Sequence, residues 1–161
     1  MFDSEQRIPM TTKGFEKIKN ELEDLLARER PDVVQAIVEA RSRGDLSENA
    51  EYHAAKERQS FIERRISELE GKVAKAQIID ISSIVGDDIK FGATVILEDN
   101  DTGESVTYQI VGSDEADVKS GLLSITSPLA RALIGKRVGN SVEVSIPNGV
   151  RTYSVQKVEY I

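Results

Sequence analysis

Apolar positions recur every three or four residues through the first half of the chain and alternate through much of the second. The first spacing is that of a helix with one buried stripe; the second is that of a half-buried strand. From Thr12, the run TTKGFEKIKNELEDLL places Phe15, Ile18, Leu22 and Leu25 on one helical face, with Thr12 as the expected cap. Leu26, Arg30, Val33, Ile37 and Ala40 continue the spacing one position out of phase, and Pro31 stands between the two phases. A proline inside a helix removes a hydrogen bond and collides with the preceding turn, so a kink or brief break is expected there. A second run is unbroken. Tyr52, Ala55, Gln59, Ile62, Ile66, Leu69, Val73 and Ala76 step by threes and fours, flanked by Glu, Arg and Lys. Each run has a single apolar stripe, so the two helices are expected to cover one another as a long antiparallel coiled-coil hairpin. A helix of about 30 residues spans roughly 45 Å. The expected N-terminal domain, residues 1–77, is therefore a thin arm with GDLSEN, residues 44–49, at its tip. The same heptads would suit a dimerising coiled coil. A glycine turn between two runs of one short chain favours pairing within the chain, and hence a monomer.

The helical period stops near Ala76, and residues 77–86 are the expected boundary. FGATVILED and ESVTYQIVG read as two strands joined through DNDTG, and LLSIT as a short third. SPLARALIGK has the marks of a short helix: Ser127 to cap it, Pro128 in the first turn and Gly135 to end it. The last residues form two further strands joined through Pro147-Asn148-Gly149. The expected second domain, 78–161, is a small antiparallel β-sheet with one helix across a face, which makes the whole chain α+β.

The turn carries two acids. Asp45 and Glu48 have the D-x-x-E spacing of a capping box, which would explain both without function. The same spacing sets two hard oxygen donors within one turn, with Glu51 one turn further on. Two carboxylates are an incomplete Mg²⁺ site, so a metal there would need ligands from elsewhere. Arg41, Arg43, Lys56 and Arg58 lie just behind the tip, where they would either guide a nucleic-acid backbone or form ordinary i,i+4 pairs on a wet face. The one histidine, His53, sits beside Tyr52 and reads as a surface or helix-packing residue.

Charge narrows the function. The chain of 161 residues carries a net charge of −7, which argues against coating duplex nucleic acid by bulk electrostatics. Residues 1–77 hold 14 basic and 16 acidic groups, while 78–161 hold 7 and 12. Cysteine is absent, which excludes disulfide and thiolate chemistry and fits a reducing compartment. MFDSEQRIPM lacks the apolar centre of a signal peptide, and no apolar run reaches the length of a membrane span. The expectation is a cytoplasmic protein with no membrane partner. The second half has neither Cys nor His, no phosphate-binding glycine loop and no G-x-S-x-G. Ser124, Thr126 and Ser127 there read as strand end and helix cap, and the domain as a docking surface rather than an enzyme.

Several segments together resemble one family. IPMTTKGFEKIKNEL (8–22), AIVEARSRGDLSENAEYHAAKERQ (36–59), FGATVILED (91–99), YQIVGSDEAD (108–117), SITSPLARALIGKR (124–137) and VQKVEYI (155–161) are similar, in order, to bacterial Gre transcript-cleavage factors. The acidic arm and IPMTTKGF resemble the A type. The resemblance implies a coiled-coil arm followed by a domain like FK506-binding proteins. It also implies binding in the secondary channel of RNA polymerase, where the tip stimulates the polymerase's own cleavage of the nascent RNA 3′ end in backtracked complexes. By motif position the catalytic acids fall on Asp45 and Glu48, sharing Mg²⁺ with the polymerase active site. No cofactor would be bound by the chain alone. Asn49, Glu51 and Tyr52 would support the tip, and Arg41, Arg43, Lys56 and Arg58 would guide the extruded RNA. Asp114, Glu115, Asp117, Ser127, Pro128 and Arg131 are the docking candidates. Two other classes compete: a prolyl isomerase, for which the second half is poor in aromatic residues, and a purely structural coiled-coil adaptor.

Overall fold

A computed structural model describes residues 7–45 and 48–161. The chain divides into two compact units, one built from Phe15–Ala76 and the other from 7–14 with Gln77–Ile161.

The first unit is a pair of helices. Helix α1 (Thr12–Asp24) runs into a π turn at Leu25–Glu29 and then into α2 (Arg30–Arg41) without a break. Its cap is Thr11 rather than Thr12: the Thr11 hydroxyl oxygen accepts the Gly14 N–H at 3.0 Å. Within the π turn the Arg30 N–H reaches back five residues to the Leu25 carbonyl. The wider turn inserts one residue without rotating the buried face. Ile18, Leu25, Val33 and Ala40 are all buried, at steps of seven, eight and seven. The phase slip in the sequence is therefore real, and its cause differs from the expected kink or break at Pro31. That proline sits in the first turn of α2, where it has no N–H to give, and the widened turn carries the helix past the gap.

Helix α3 (Ala50–Lys75) buries Ala55, Ile62, Ile66 and Leu69, four of the residues in the unbroken seam. Fully burying a side chain such as Ile62 or Leu69 contributes about 1.5–3 kcal/mol. Two bidentate pairs fix the register. Arg30 donates to Glu63 through two bonds of 2.8 Å, and Arg65 donates to Glu21 at 2.8 and 2.9 Å. Residue numbers rise on one helix as they fall on the other, so the pair is antiparallel.

In the second unit, β1 (Ile8–Thr11) and β2 (Ala76–Ile79) form a two-stranded sheet that the sequence pattern did not announce. The main sheet holds β3 (Thr94–Asp99), β4 (Ser105–Val111), β5 (Leu122–Ser124), β6 (Ser141–Ile146) and β7 (Gly149–Glu159) in the order β5-β4-β3-β7-β6. It is mixed rather than wholly antiparallel, because β5 pairs parallel to β4. The segment between them is far longer than a hairpin turn and carries the chain back to Gln109, so that β5 runs beside the last three residues of β4. A bulge interrupts β3–β7 pairing: Ile96 faces Lys157 and Leu97 faces Val155, leaving Gln156 over. Helix α4 (Pro128–Leu133) is capped as expected, with the Ser127 hydroxyl oxygen accepting the Ala130 N–H at 3.2 Å. The core gathers Val95, Leu97, Ile110, Leu123, Val142 and Val155 from the five strands under Ala130 and Leu133 of α4.

Candidate functional site

The turn between α2 and α3 is built from its two helix ends. Helix α2 closes with the Arg43 N–H on the Ala40 carbonyl at 3.2 Å, and Gly44 then takes φ +142°, a value that disfavours a side chain. Asp45 and Glu48 are both exposed. The residue that caps α3 is Asn49, not Asp45. Its backbone is extended (φ −87°, ψ 97°) and its Oδ1 accepts the Tyr52 N–H at 3.0 Å. A capping side chain must reach the amide two or three residues on, and α3 starts at Ala50, too far along for Asp45. The expected capping box therefore does not start α3, whose cap is Asn49.

Asn49 has a second bond. Its Nδ2 donates to the Ala40 carbonyl at 2.6 Å, joining the first turn of α3 to the last turn of α2. Beside it, Arg43 Nη1 meets Glu51 Oε2 at 2.8 Å, a pair exposed on both sides. An open depression of about 380 Å³ is lined by Arg43, Gly44, Asp45, Glu48, Asn49, Ala50 and Glu51. Three acids and one arginine thus share one concavity. Among the described residues, no three His, Cys, Asp or Glu side chains are grouped to hold a metal ion. Of the other tip residues, Tyr52 is half-buried, with its ring edge-on to His53 at 5.5 Å. Arg41 ends α2; Lys56 and Arg58 lie on α3, where Lys56 Nζ donates to Gln59 Oε1 at 3.2 Å. These three cations are exposed and do not line the depression.

Several docking candidates of the second unit have structural employment. Glu115 is the most committed. Its Oε2 accepts the N–H groups of Thr11 (3.1 Å) and Gly112 (2.8 Å), and its Oε1 accepts the Thr11 hydroxyl. Two glycines make room for this clamp: a Cβ on Gly14 would fall 1.9 Å from Glu115 Oε1, and one on Gly112 would fall 2.4 Å from the Pro9 carbonyl. Thr11 and Gly14 lie about a hundred residues from Gly112 and Glu115, so no local motif marks the clamp. Asp117 Oδ2 accepts the Ser120 hydroxyl at 2.7 Å, while Asp114 and Arg131 are exposed. Ser127 and Pro128 begin α4. The hydroxyls of Ser113, Ser124 and Thr126 are linked at 2.7–3.4 Å, which sets the loop after β4 beside the start of α4.

Known proteins match this chain along its length. The family described as "Transcription elongation factor, N-terminal" covers residues 8–78, and "Transcription elongation factor, GreA/GreB, C-term" covers 84–160. Transcription elongation factor GreA of Phenylobacterium zucineum is 57% identical over 156 residues, spanning 97% of this chain and 99% of its own. The GreA of Chelativorans sp. is 59% identical over 154 residues, spanning 96% and 98%. Among solved structures, GreA factor homolog 1 (Gfh1) of Thermus thermophilus is 30% identical with a TM-score of 0.43, over 95% of this chain and 99% of that one. With two family matches in order and relatives more than half identical from end to end, the chain belongs to the GreA family of bacterial transcription elongation factors.

Proposed function

We propose that this chain acts in the secondary channel of bacterial RNA polymerase, where Asp45 and Glu48 serve the polymerase's cleavage of a backtracked transcript. As a GreA-family member it is an elongation factor and an accessory to the polymerase, with no hydrolase activity of its own. The observation that carries the residue assignment is that both acids are exposed and line one open depression, while Asn49 takes the capping role that would otherwise explain them.

The donor set suits a shared ion. Two carboxylates are hard oxygen ligands of the kind Mg²⁺ prefers, and too few to hold it alone. Mg²⁺ bound between this pair and the polymerase's own acids would stabilise charge on the phosphoryl oxygens and activate a water. Asp45 and Glu48 would supply oxygens to that ion or to its waters. Arg41, Lys56 and Arg58, exposed behind the tip, would contact phosphates of the extruded RNA. The second unit would dock through Asp114 and Asp117, in the loop after β4, and Ser127, Pro128 and Arg131, at α4. We read its sheet-and-helix arrangement as that of FK506-binding proteins. A cytoplasmic, monomeric factor follows from this role.

The test is transcript cleavage on stalled, backtracked complexes. Asp45→Asn and Glu48→Gln should bind polymerase like the native protein and fail to stimulate release of the 3′ fragment. Native-like cleavage by both variants would reject the assignment, and cleavage of free RNA by the protein alone would reject the accessory role.

A further inference from the structure

We infer that Asn49 is a positioning residue for the acidic tip, acting through the bond from its amide nitrogen to the Ala40 carbonyl. The inference rests on the reading of Asp45 and Glu48 above. Among the described residues between the two helices, 42–45 and 48–49, none is buried. What fixes those ends is the pairing of the helices up to Ala40 and Ala55, both buried, and the contacts that bridge them beyond that point. The Asn49 side chain supplies one bridge with both of its polar atoms. Oδ1 holds the Tyr52 N–H at 3.0 Å and so starts α3, while Nδ2 holds, at 2.6 Å, the Ala40 carbonyl that also accepts the Arg43 N–H in the last turn of α2. Ala40 is 3% exposed, so its carbonyl lies where water competes poorly. The residue just before Asn49 is Glu48, and Asp45 stands two residues past the last backbone bond of α2. Both acids are therefore tied at short range to the atoms that Asn49 joins. The second bridge, Arg43 to Glu51, is an exposed ion pair and weakens with salt, so it is the poorer brace. Catalytic groups displaced by about 1 Å lose up to about a hundredfold in rate.

The two bonds separate by substitution. Asn49→Ser and Asn49→Asp each keep an oxygen for the Tyr52 N–H, and both residues cap helices about as well as asparagine. Asn49→Asp has no proton to donate to Ala40 and adds charge; Asn49→Ser adds none, and its hydroxyl, on a side chain one atom shorter, cannot span both partners as the two amide atoms do. Cleavage is measured on backtracked complexes against factor concentration, with thermal melts in parallel and Asp45→Asn as the reference. The expected result is a maximal cleavage rate about tenfold or more below native for both variants. The half-saturating factor concentration should stay within about twofold of native, and helix melting should be native-like. A native maximal rate for Asn49→Ser overturns the inference. So does a loss that lies wholly in the half-saturating concentration, which would make Asn49 a docking residue. If Asp45→Asn itself cleaves like the native protein, the reading beneath has failed. If Asp45→Asn is inactive and Asn49→Ser is not, only the role of Asn49 has failed.

Discussion

Replacing Glu115 by alanine should cost the sheet unit about 2 kcal/mol. The figure follows from the three donors that its carboxylate satisfies: the Thr11 and Gly112 N–H groups and the Thr11 hydroxyl. The hydroxyl can turn toward another acceptor, but the two amides are fixed by the backbone. A buried donor left unsatisfied costs about 1–3 kcal/mol. Thr11 is 3% exposed, whereas Glu115 itself is half-buried, so water entering the vacated space recovers part of the loss. The low end of the range, taken twice, gives the estimate. Glu115→Gln keeps one acceptor oxygen for the amides and should lose only about 1 kcal/mol. Urea unfolding followed by tyrosine fluorescence is the assay. Tyr108, Tyr153 and Tyr160 belong to this unit, Tyr52 is the only tyrosine elsewhere, and there is no tryptophan to mask them. A loss below about 1 kcal/mol for alanine, or a glutamine variant as unstable as the alanine one, would refute the clamp.

Two further outcomes concern the helical pair. Leu69→Ala removes a side chain that is fully buried in the seam and should destabilise the pair by about 2–5 kcal/mol in chemical denaturation. Phe61→Ala, on the same helix but 61% exposed, should change stability by no more than about 0.5 kcal/mol. The pair should also weaken in acid. The hydrogen bond from Arg30 holds the Glu63 carboxyl below its ordinary range, and that from Lys72 does the same for Glu68. A lowered folded pKa gives stability that is present above the ordinary value of about 4.3 and is lost as pH falls through the folded value. Melts followed by far-ultraviolet circular dichroism should therefore move to lower temperature as pH falls below about 5, and Arg30→Gln should remove part of that drop.

The helical seam was legible because its period is carried by bulk. Ile62, Ile66 and Leu69 are large, regularly spaced and buried, so spacing and burial agree. Ser127 and Pro128 were legible for a local reason, since cap and first-turn chemistry lie within four residues. The turn is ambiguous for the same local reason. D-x-x-E and N-x-x-Y both offer an oxygen three residues before an amide, and only the position of Ala40 across the turn decides for Asn49. The pairing of β1 with β2 and the Glu115 clamp join segments nearly seventy and about a hundred residues apart, each too short to show a period. Parallel pairing of β4 with β5 depends on the path of the intervening loop, which strand composition does not encode. The acidic pair itself was visible from the start. Its chemistry was not, because two carboxylates without a third ligand carry no signature of their own.

The π turn at Leu25–Glu29 gives this helix one place where its length is negotiable. Between Leu25 and Val33 the seam takes eight residues where its neighbours take seven. Deleting one residue there would close the wide turn to an ordinary one and leave Ile18 and Leu25 facing the same way as Val33 and Ala40. The same deletion in α3, whose seam steps only by threes and fours, would swing every later seam residue by about 100° and break its match with the partner helix. A single-residue deletion should accordingly be survivable within one five-residue window of the pair, and ruinous at almost every other position in it.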